Sequence, residues 1–544
     1  MNHNKTVFPA ASYEDWIDQV EKVLKGKPVD SLNKMTPEGI TLRPLYTDRP
    51  ETDDSHISRY WKSNPDWLIA QQVFGLQSSE LITAAKEELT RGSEVVALDS
   101  ETSGCFNAQD AASLFGLKED LHIYIKHQDG HPWIQALNER KVRGILGRDW
   151  GTQFQNQTID KAFDEIKEID QTHPELKSVI LSSASIHQKG ASVIQELAYI
   201  LAQASSVIRK ADQHGWNIDK ICSKIHVEFA IGSDFFTEIS KLRAFRALWH
   251  HFMSQYGVSY TVTTGAETAQ FTKLTQDEHT NMLRSGNEAF AAVLGGADYI
   301  SAKPYDWFNQ KPSQQAIRAA RNILLILKEE MFLQNQIDPA GGSYYVEHLT
   351  KEIAEKAWEQ FCEIEEKNGL EDVYSEFLHE IKTVRDKRDR DVRTRKQSLV
   401  GMNKYAPAEK NVLEQIPETA GYSWDMLIQK VKTMRAADVT LYPVGELKDY
   451  KPRTDFVKGV FAAAGVVPVI KNNNAQVIIV CGSDEAYVEY LSDVIQSKKP
   501  GQKVFAAGKF QAEGLDGVIY SGMDMIAFLE EVLFGQKGVS HHEA

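Results

Sequence analysis

The chain has 544 residues, of which 42% are hydrophobic and 25% charged, and its net charge at pH 7 is −15. This length predicts two or three domains. The acidic excess argues against a nucleic acid or an anionic membrane as the main partner, and no apolar run approaches the roughly 20 residues of a membrane helix. The 4 cysteines do not have the spacing of metal ligands. The first residues do not have the pattern of a secretory signal. We therefore expect a cytoplasmic protein with reduced thiols and no metal site.

The first predicted element is a helix over residues 13–26. Its apolar residues Trp16, Val20, Val23 and Leu24 fall on one helical face. Too little sequence surrounds the helix to bury that face. We therefore expect residues 1–40 to form a helical extension that packs on another domain or on a partner chain.

Short apolar runs alternate with longer amphipathic segments from about residue 40 to residue 400. The apolar runs are 93–99, 121–126, 178–185, 224–232, 258–264 and 297–303. Strands that alternate with helices favour a parallel sheet, and so many units favour a closed (β/α)8 TIM barrel. We assign this barrel, with its trailing helices, to residues 41–405. The charged run 382–397 is interpreted as a solvated helix face rather than a nucleic-acid site, because acids interrupt its bases.

A second α/β unit follows the barrel. Residues 406–436 contain Pro, Asn and Glu and are predicted to be a linker. Residues 437–535 then alternate strands and helices in the pattern of a small, doubly wound, flavodoxin-like sheet. Residues 536–544 are expected to form a frayed tail, whose two histidines need no metal to explain them.

Four stretches show a specific resemblance to a known family. They are EGITLRPLYT (38–47), the segment beginning ELAYILAQ (196–257), IDPAGGSYYVEHLT (337–350) and LVGMNKY (399–405). They closely resemble the adenosylcobalamin-dependent methylmalonyl-CoA mutase family, and the match continues in order from about residue 13 to the C-terminus. The resemblance implies a substrate-binding (β/α)8 barrel followed by a flavodoxin-like cobalamin domain, which agrees with the alternating pattern.

The family's cobalt-ligand motif is lost in this chain. Catalytic members carry D-x-H-x-x-G after the first strand of the small domain, and the imidazole coordinates cobalt. These positions correspond to Lys448, Tyr450 and Arg453. A neutral phenol is a poor substitute for imidazole, and an arginine would fill space that glycine leaves open. The family also carries a Gly-Gly pair after the fourth strand of the small domain, and this chain has Ala507-Gly508 at that position. We therefore predict a degenerate domain that binds no cofactor.

The family's polar groups in the barrel are replaced as well. In the stretch QQVFG, Gln71 replaces an arginine and Val73 replaces the tyrosine that lies beside the migrating group in catalytic members. The R-T-H-S-Q-T-S-G motif becomes VTTGAETA, with Val262 for the arginine that grips the substrate carboxylate, Thr264 for histidine and Ala266 for glutamine. The H-T-N-S motif becomes SAKP (301–304). An arginine is the expected carboxylate clamp, and the sequence offers no obvious replacement.

A histidine lies close to the family's thioester-polarising position, but not in register with it. The family's histidine falls five residues before a glycine, and Ser185 occupies that position relative to Gly190. His187 falls only three residues before the glycine. A bulge could bring His187 into the role, but we interpret it as a turn or interface residue, because catalytic geometry must hold to about half an ångström.

The resembling family includes heterodimeric mutases with a catalytic large subunit and a non-catalytic small subunit of about this length. We predict that this chain is the small subunit, and that adenosylcobalamin and the radical interconversion of methylmalonyl-CoA and succinyl-CoA belong to the large subunit. Two alternatives stay open. The barrel could act on another acyl-CoA with a separate cobalamin protein, or the chain could be an unrelated binding or chaperone protein, although it has no P-loop.

Overall fold

The computed structural model describes residues 11–48, 64–137, 140–152, 159–309, 311–407, 409–472 and 474–535. The predicted tail 536–544 lies outside these residues, as do the first ten residues of the predicted extension. Within the described ranges, no helix is both long enough and apolar enough to cross a membrane.

The N-terminal extension begins with helix α1 (Tyr13–Val23), which is slightly shorter than predicted. Ser12 and Asp15 form a capping box at its start, in which each side chain accepts a hydrogen bond from the other residue's backbone N–H. None of its residues is buried by the described part of the chain. A short antiparallel ribbon of β1 (Lys34–Met35) and β2 (Thr41–Leu42) follows.

Eight parallel strands form the main sheet. They are β3 (Leu68–Ile69), β4 (Val96–Leu98), β5 (Leu121–Lys126), β6 (Val142–Asp149), β7 (Lys177–Ser182), β8 (Ile225–Ile231), β9 (Thr263–Thr268) and β10 (Tyr299–Ser301). Their order is β4-β5-β6-β7-β8-β9-β10-β3. The two edges of the curled sheet meet, because the Val73 N–H donates to the Ala97 carbonyl and the Glu94 N–H to the Ile69 carbonyl, both at 3.0 Å. The predicted TIM-barrel-like α/β sheet is confirmed.

Helices surround this sheet. They are α2 (Ser78–Thr90), α3 (Ala108–Phe115), α4 (His131–Leu137), α5 (Ile159–Thr172), α6 (Ala184–Gln188), α7 (Val193–Gln213), α8 (Ile218–Cys222), α9 (Phe235–Ser254), α10 (Thr280–Leu294), α11 (Gln314–Leu325), α12 (Tyr344–Glu366) and α13 (Leu370–Arg393). Alternate strand residues, such as Val227 and Phe229 on β8, pack against them in one large apolar core. The other set of strand residues points into the barrel.

We predicted that the charged run 382–397 is a solvated helix face. In the structure, two of its arginines instead bind distant parts of the chain. Arg388 pairs with Glu38 at 3.0 Å and donates to the carbonyls of Gly190 and Ala191. Arg393 pairs with Asp524 at 2.8 Å. Because these partners come from three distant parts of the chain, helix α13 joins them through its basic side chains.

The second unit contains a five-stranded parallel sheet. Helix α14 (Tyr422–Thr433) precedes it, and its strands are β11 (Val439–Pro443), β12 (Val469–Ile470), β13 (Val477–Cys481), β14 (Lys503–Ala507) and β15 (Gly517–Ile519). Their order is β12-β11-β13-β14-β15. Three helices accompany them: α15 (Leu447–Ala463), α16 (Asp484–Gln496) and α17 (Met525–Phe534).

The range 406–436, predicted as a linker, contains helix α14. Its Trp424, Leu427 and Ile428 are buried in the same apolar core as strand β11 and as Leu274 from the barrel. Much of this range therefore belongs to a packed core. The domain boundaries themselves stay predictions.

Candidate functional site

The carboxyl ends of the barrel strands are the first place to look for a site, since enzymes of TIM-barrel fold act there. Lys126 is the last residue of β5, and Ser301 is the last residue of β10. Both line one cavity together with Asp99, Glu228 and Glu267. This group of inward-facing side chains is called the barrel mouth below.

A layer of polar aromatic residues lies beneath the barrel mouth. His122 Nε2 is 2.9 Å from the Tyr299 hydroxyl, and His226 Nε2 is 3.1 Å from the Tyr124 hydroxyl. The rings meet edge to face with centroids 5.0–5.7 Å apart, an arrangement that aromatic rings favour. The middle of the barrel is therefore packed with side chains and is not an open channel.

The hydrogen bonds assign one tautomer to His226. Tyr124 donates its hydroxyl proton to Glu228 at 2.5 Å, so the same hydroxyl accepts from the Nε2–H of His226. Nδ1 then accepts from the Thr263 hydroxyl at 3.0 Å. Burial lowers the pKa of His226 to about 3 and, together with Arg143, that of His122 to about 4. Both imidazoles are thus neutral near neutral pH.

Glu228 forms the first charge cluster of the barrel mouth. Its carboxylate contacts Lys126 Nζ at 2.9 Å and also accepts from the Ser182 hydroxyl at 3.1 Å. Burial alone would lower the pKa of Lys126, but Glu228 and Glu267 hold it above its ordinary value. Burial would likewise raise the pKa of Glu228, yet Lys126 and the Tyr124 hydroxyl keep it low. Both groups are therefore charged and bound to each other.

Lys303, two residues beyond the end of β10, joins the barrel mouth through Glu267 and forms the second charge cluster. Its Nζ lies 3.2 Å from Glu267 and 3.0 Å from the Gln72 side-chain oxygen, and the Gln72 amide in turn donates to Asp99. Burial would raise the pKa of Asp99, but the Thr102 backbone N–H and Lys303 outweigh burial and lower it. The cationic and anionic side chains of the barrel mouth thus pair with one another.

The space left between these clusters is small. The cavity has a volume of about 30 Å³, and a single water needs about 10–15 Å³ by the same measure. It can hold about two waters, whereas an acyl thioester is far larger.

The residues singled out from sequence in β9 and just before it do not form a site together. Val262, Thr264 and Ala266 are buried, and Val262 and Ala266 belong to the core that packs against the helices. Thr264 donates to Asp298 at 3.0 Å and accepts from Arg246 of α9 at 3.2 Å. Ala266 also borders the cavity.

Other predicted barrel residues have structural contacts. Val73 is buried in the core formed with α2 and α3, and Gln71 donates to the Ala302 carbonyl at 3.0 Å. Within the SAKP stretch (301–304), Ser301 lines the cavity. The inward residues of β9 are instead Thr263, Gly265 and Glu267, which the motif comparison did not select. A Cβ added at Gly265 would lie 2.8 Å from His226 Nε2.

His187 lies in the last turn of the short helix α6 and is buried within this chain. Its Nδ1 is 2.8 Å from Glu196, which also accepts from the Ser183 hydroxyl at 2.7 Å and pairs with Lys241 at 3.2 Å. This burial does not suit an interface residue, which was one of the two roles expected of it. Ser185 lies half-buried on the same helix.

The predicted cobalt-ligand positions lie in the first two turns of α15. Glu446 and Asp449 form a capping box that starts this helix. Lys448 is exposed and pairs with Glu446 at 3.0 Å, while half-buried Tyr450 packs against the apolar core of the second unit. A phenol anchored in this core has no imidazole beside it, since no histidine occurs between His379 and the tail.

Arg453 lies across the carboxyl ends of β13 and β14. Its guanidinium donates to the Gly482 carbonyl at 2.7 Å and to Asp484 at 2.6 Å, and it covers the Tyr487 ring. A Cβ added at Gly508 would lie 2.9 Å from the guanidinium carbon. This edge of the sheet is thus occupied by a side chain of the protein itself. Among the described residues, no group of three or more His, Cys, Asp or Glu could hold a metal ion.

The fold and these sites define an α/β protein with a TIM-barrel-like sheet, a second parallel sheet and a barrel mouth filled by paired charges. The sequence model of the family described as Methylmalonyl-CoA mutase matches residues 151–450. Since this match covers more than half of the chain, the protein belongs to the methylmalonyl-CoA mutase family.

Curated relatives agree with this membership. The chain is 26% identical to the methylmalonyl-CoA mutase small subunit of Porphyromonas gingivalis, over 89% of each chain. It is 27% identical to the small subunit of Streptomyces virginiae, over 97% of each. Identity to the mitochondrial methylmalonyl-CoA mutase of Homo sapiens is 26%, over 78% of this chain and 65% of that protein. The match is therefore more complete with these small subunits than with the human mutase.

Proposed function

We propose that this chain is the small, non-catalytic subunit of a heterodimeric methylmalonyl-CoA mutase. It supports a large subunit that binds adenosylcobalamin and interconverts methylmalonyl-CoA and succinyl-CoA by a radical mechanism. The observation that carries the proposal is the barrel mouth, where Lys126 pairs with Glu228 and Lys303 with Glu267 around a cavity of about 30 Å³.

These pairs argue against substrate binding for an energetic reason. A ligand that enters the barrel mouth must separate buried ion pairs, and an unpaired buried charge costs several kcal/mol. The carboxylate of a methylmalonyl group would also meet the carboxylates of Asp99, Glu228 and Glu267. The charged side chains of the barrel mouth therefore stabilise the barrel itself and do not suit an anionic acyl group.

The second sheet supports the same proposal. We assign it as a flavodoxin-like domain, because its order β12-β11-β13-β14-β15 is the doubly wound order 2-1-3-4-5. Ligands of such sheets bind at the switch point between the first and third strands. Arg453, from the helix that follows β11, binds the Gly482 carbonyl just beyond β13. The residues present therefore do not fit the family's cobalamin.

The N-terminal extension supplies a contact for the proposed partner. Helix α1 has Tyr13 and Trp16 stacked at 5.5 Å on an apolar face that the described chain does not bury. We propose that residues 1–40 pack on the large subunit. We also propose that the predicted divisions at 405 and 535 bound the barrel and the flavodoxin-like unit, and that helix α14, from the range 406–436 predicted as a linker, packs with the second unit.

The purified chain should show no conversion of methylmalonyl-CoA to succinyl-CoA with added adenosylcobalamin, whereas its mixture with the large subunit from the same source should. The reason is that the cations of the barrel mouth are already paired with carboxylates, around a cavity too small for an acyl thioester. Product formation is measured by mass spectrometry. The variant Ser301→Ala changes a residue that lines the cavity of the barrel mouth. It should leave turnover per assembled complex unchanged. Turnover by the chain alone would favour an active barrel that uses a separate cobalamin protein.

Hydroxocobalamin and adenosylcobalamin should both fail to bind the isolated chain at micromolar concentration. The absorption spectrum of the corrin reports binding and its lower ligand. Arg453→Gly should remove the side chain that lies across the carboxyl ends of β13 and β14. The variant should still give no spectrum of nitrogen ligation, because Tyr450 carries no imidazole. A spectrum with a protein nitrogen on cobalt, in wild type or variant, would contradict the proposed loss of the ligand.

A further inference from the structure

Residues 331–346 form a surface segment with an unusual composition, called the apolar segment below. Met331, Phe332, Ile337 and Tyr344 are 46%, 61%, 52% and 41% exposed, and Gln, Asn, Gly, Ser and Pro lie between them. The structure describes all sixteen residues of this segment. Asp338 is the only charged side chain among them, and it is buried. The segment therefore presents no charge to solvent, although 25% of the chain is charged.

The backbone of the apolar segment is strained at Phe332, its most exposed large apolar residue. Phe332 has a φ of 54°, in the left-handed region that bulky residues avoid. It follows a π-helical turn at Ile326–Glu330, a feature that is frequent at functional sites. Strain and exposure of a phenyl ring both cost the isolated chain free energy. Covering the ring with another molecule would recover the second of these costs.

The second half of the apolar segment is anchored by a buried ion-pair cluster. Asp338 accepts hydrogen bonds from Arg243 Nε and Nη2 at 2.9 and 3.0 Å, and Arg243 pairs with Glu347 at 3.0 Å. Glu347 in turn accepts from the Gly342 N–H at 2.9 Å. A surface that is already ordered loses little conformational entropy when a partner binds.

We propose that the apolar segment is a docking surface for the large subunit. This inference rests on the proposed function and names the surface of the chain that binds the large subunit. Exposed Met and aromatic residues, in a segment that presents no charge of its own, match the centre of a stable protein–protein interface. Met331, Phe332 and Ile337 supply the apolar anchors, and the partner surface that covers them is apolar and uncharged.

A row of aromatic rings connects this surface to the N-terminal extension. Phe236 contacts Tyr345 at a centroid distance of 5.5 Å, and Tyr345 contacts Tyr46 at 5.4 Å. The apolar segment therefore continues into residues just beyond the extension that we propose to pack on the same partner. One continuous interface along this side of the barrel accounts for both features.

The variant Phe332→Asn tests the docking surface. Asparagine tolerates the left-handed backbone, so the free chain should keep or raise its melting temperature. Its affinity for the purified large subunit, measured by titration calorimetry, should fall at least 10-fold. Val467→Asn is the matched control, because Val467 is a 72% exposed apolar residue in a loop of the second unit. It should bind like wild type.

The possible results separate this inference from the proposed function. If wild type binds the large subunit and Phe332→Asn binds equally well, the docking surface is overturned while the proposed function stands. If wild type itself does not bind, the proposed function fails first. A wild-type homodimer that Phe332→Asn dissociates, with large-subunit affinity unchanged, would assign the surface to a second copy and overturn the inference.

Discussion

Replacing Arg243 by methionine is expected to lower the free energy of unfolding by about 3–5 kcal/mol. The guanidinium is buried and binds Asp338, Glu347 and Thr350, at distances from 2.9 to 3.2 Å. Methionine fills much of the same volume but leaves the Asp338 carboxylate buried without its cation. Urea unfolding followed by circular dichroism measures the loss.

A matched control is Arg91→Met on the barrel surface. Arg91 and Glu87 form an exposed i,i+4 pair at 3.2 Å, and such pairs contribute little. Its urea midpoint should stay close to that of wild type. Equal midpoints for Arg243→Met and Arg91→Met would contradict the central role of the Arg243 cluster.

Acid is expected to destabilise the barrel through its buried neutral histidines. The pKa of His226 is lowered from 6.5 to about 3 in the folded chain, so protonation favours the unfolded chain. The stabilising contribution is complete above pH 6.5 and is lost progressively as the pH falls towards 3. Between about pH 7.5 and about pH 5, His226 alone should cost about 2 kcal/mol of unfolding free energy.

The variant His226→Gln removes this titration and keeps an N–H that can reach the Tyr124 hydroxyl. It should be less stable than wild type near neutral pH, because the amide packs less well than the ring. Its loss of stability on acidification should nevertheless be smaller than that of wild type by about 2 kcal/mol, in urea titrations at both pH values. His131→Gln, at an exposed position, should follow wild type. Parallel pH profiles for His226→Gln and wild type would refute the assignment.

The regular parts of the barrel could be predicted from sequence because they depend on local patterns. The apolar run 121–126 coincides with strand β5 (Leu121–Lys126), and the run 224–232 contains β8 (Ile225–Ile231). In both strands alternate residues pack outwards, so a period of two is sufficient to locate them. Helix α14 was missed because Pro and Asn nearby dominated the interpretation, although Trp424, Leu427 and Ile428 have helical spacing.

The site was harder to predict, for a geometric reason. Motif comparison selected Val262, Thr264 and Ala266, but the strand places the odd-numbered residues Thr263, Gly265 and Glu267 inside the barrel. Strand β9 begins at Thr263, and a shift of one residue exchanges the two faces. The pairing of Lys303 with Gln72 joins residues 231 positions apart, and no local pattern contains such a contact.

Helix α13 limits where the chain can change its length. Arg388 binds Glu38 and the turn at Gly190, and about 1.4 turns later Arg393 binds Asp524 of the second unit. Each inserted residue would rotate the following part of the helix by about 100° and move it 1.5 Å along the axis, which would separate at least one of these partners. Insertions and deletions between homologues should therefore be absent from residues 385–393 and fall instead in the turn between α12 and α13. We therefore expect homologues to keep the length of this helix even where its exposed residues differ.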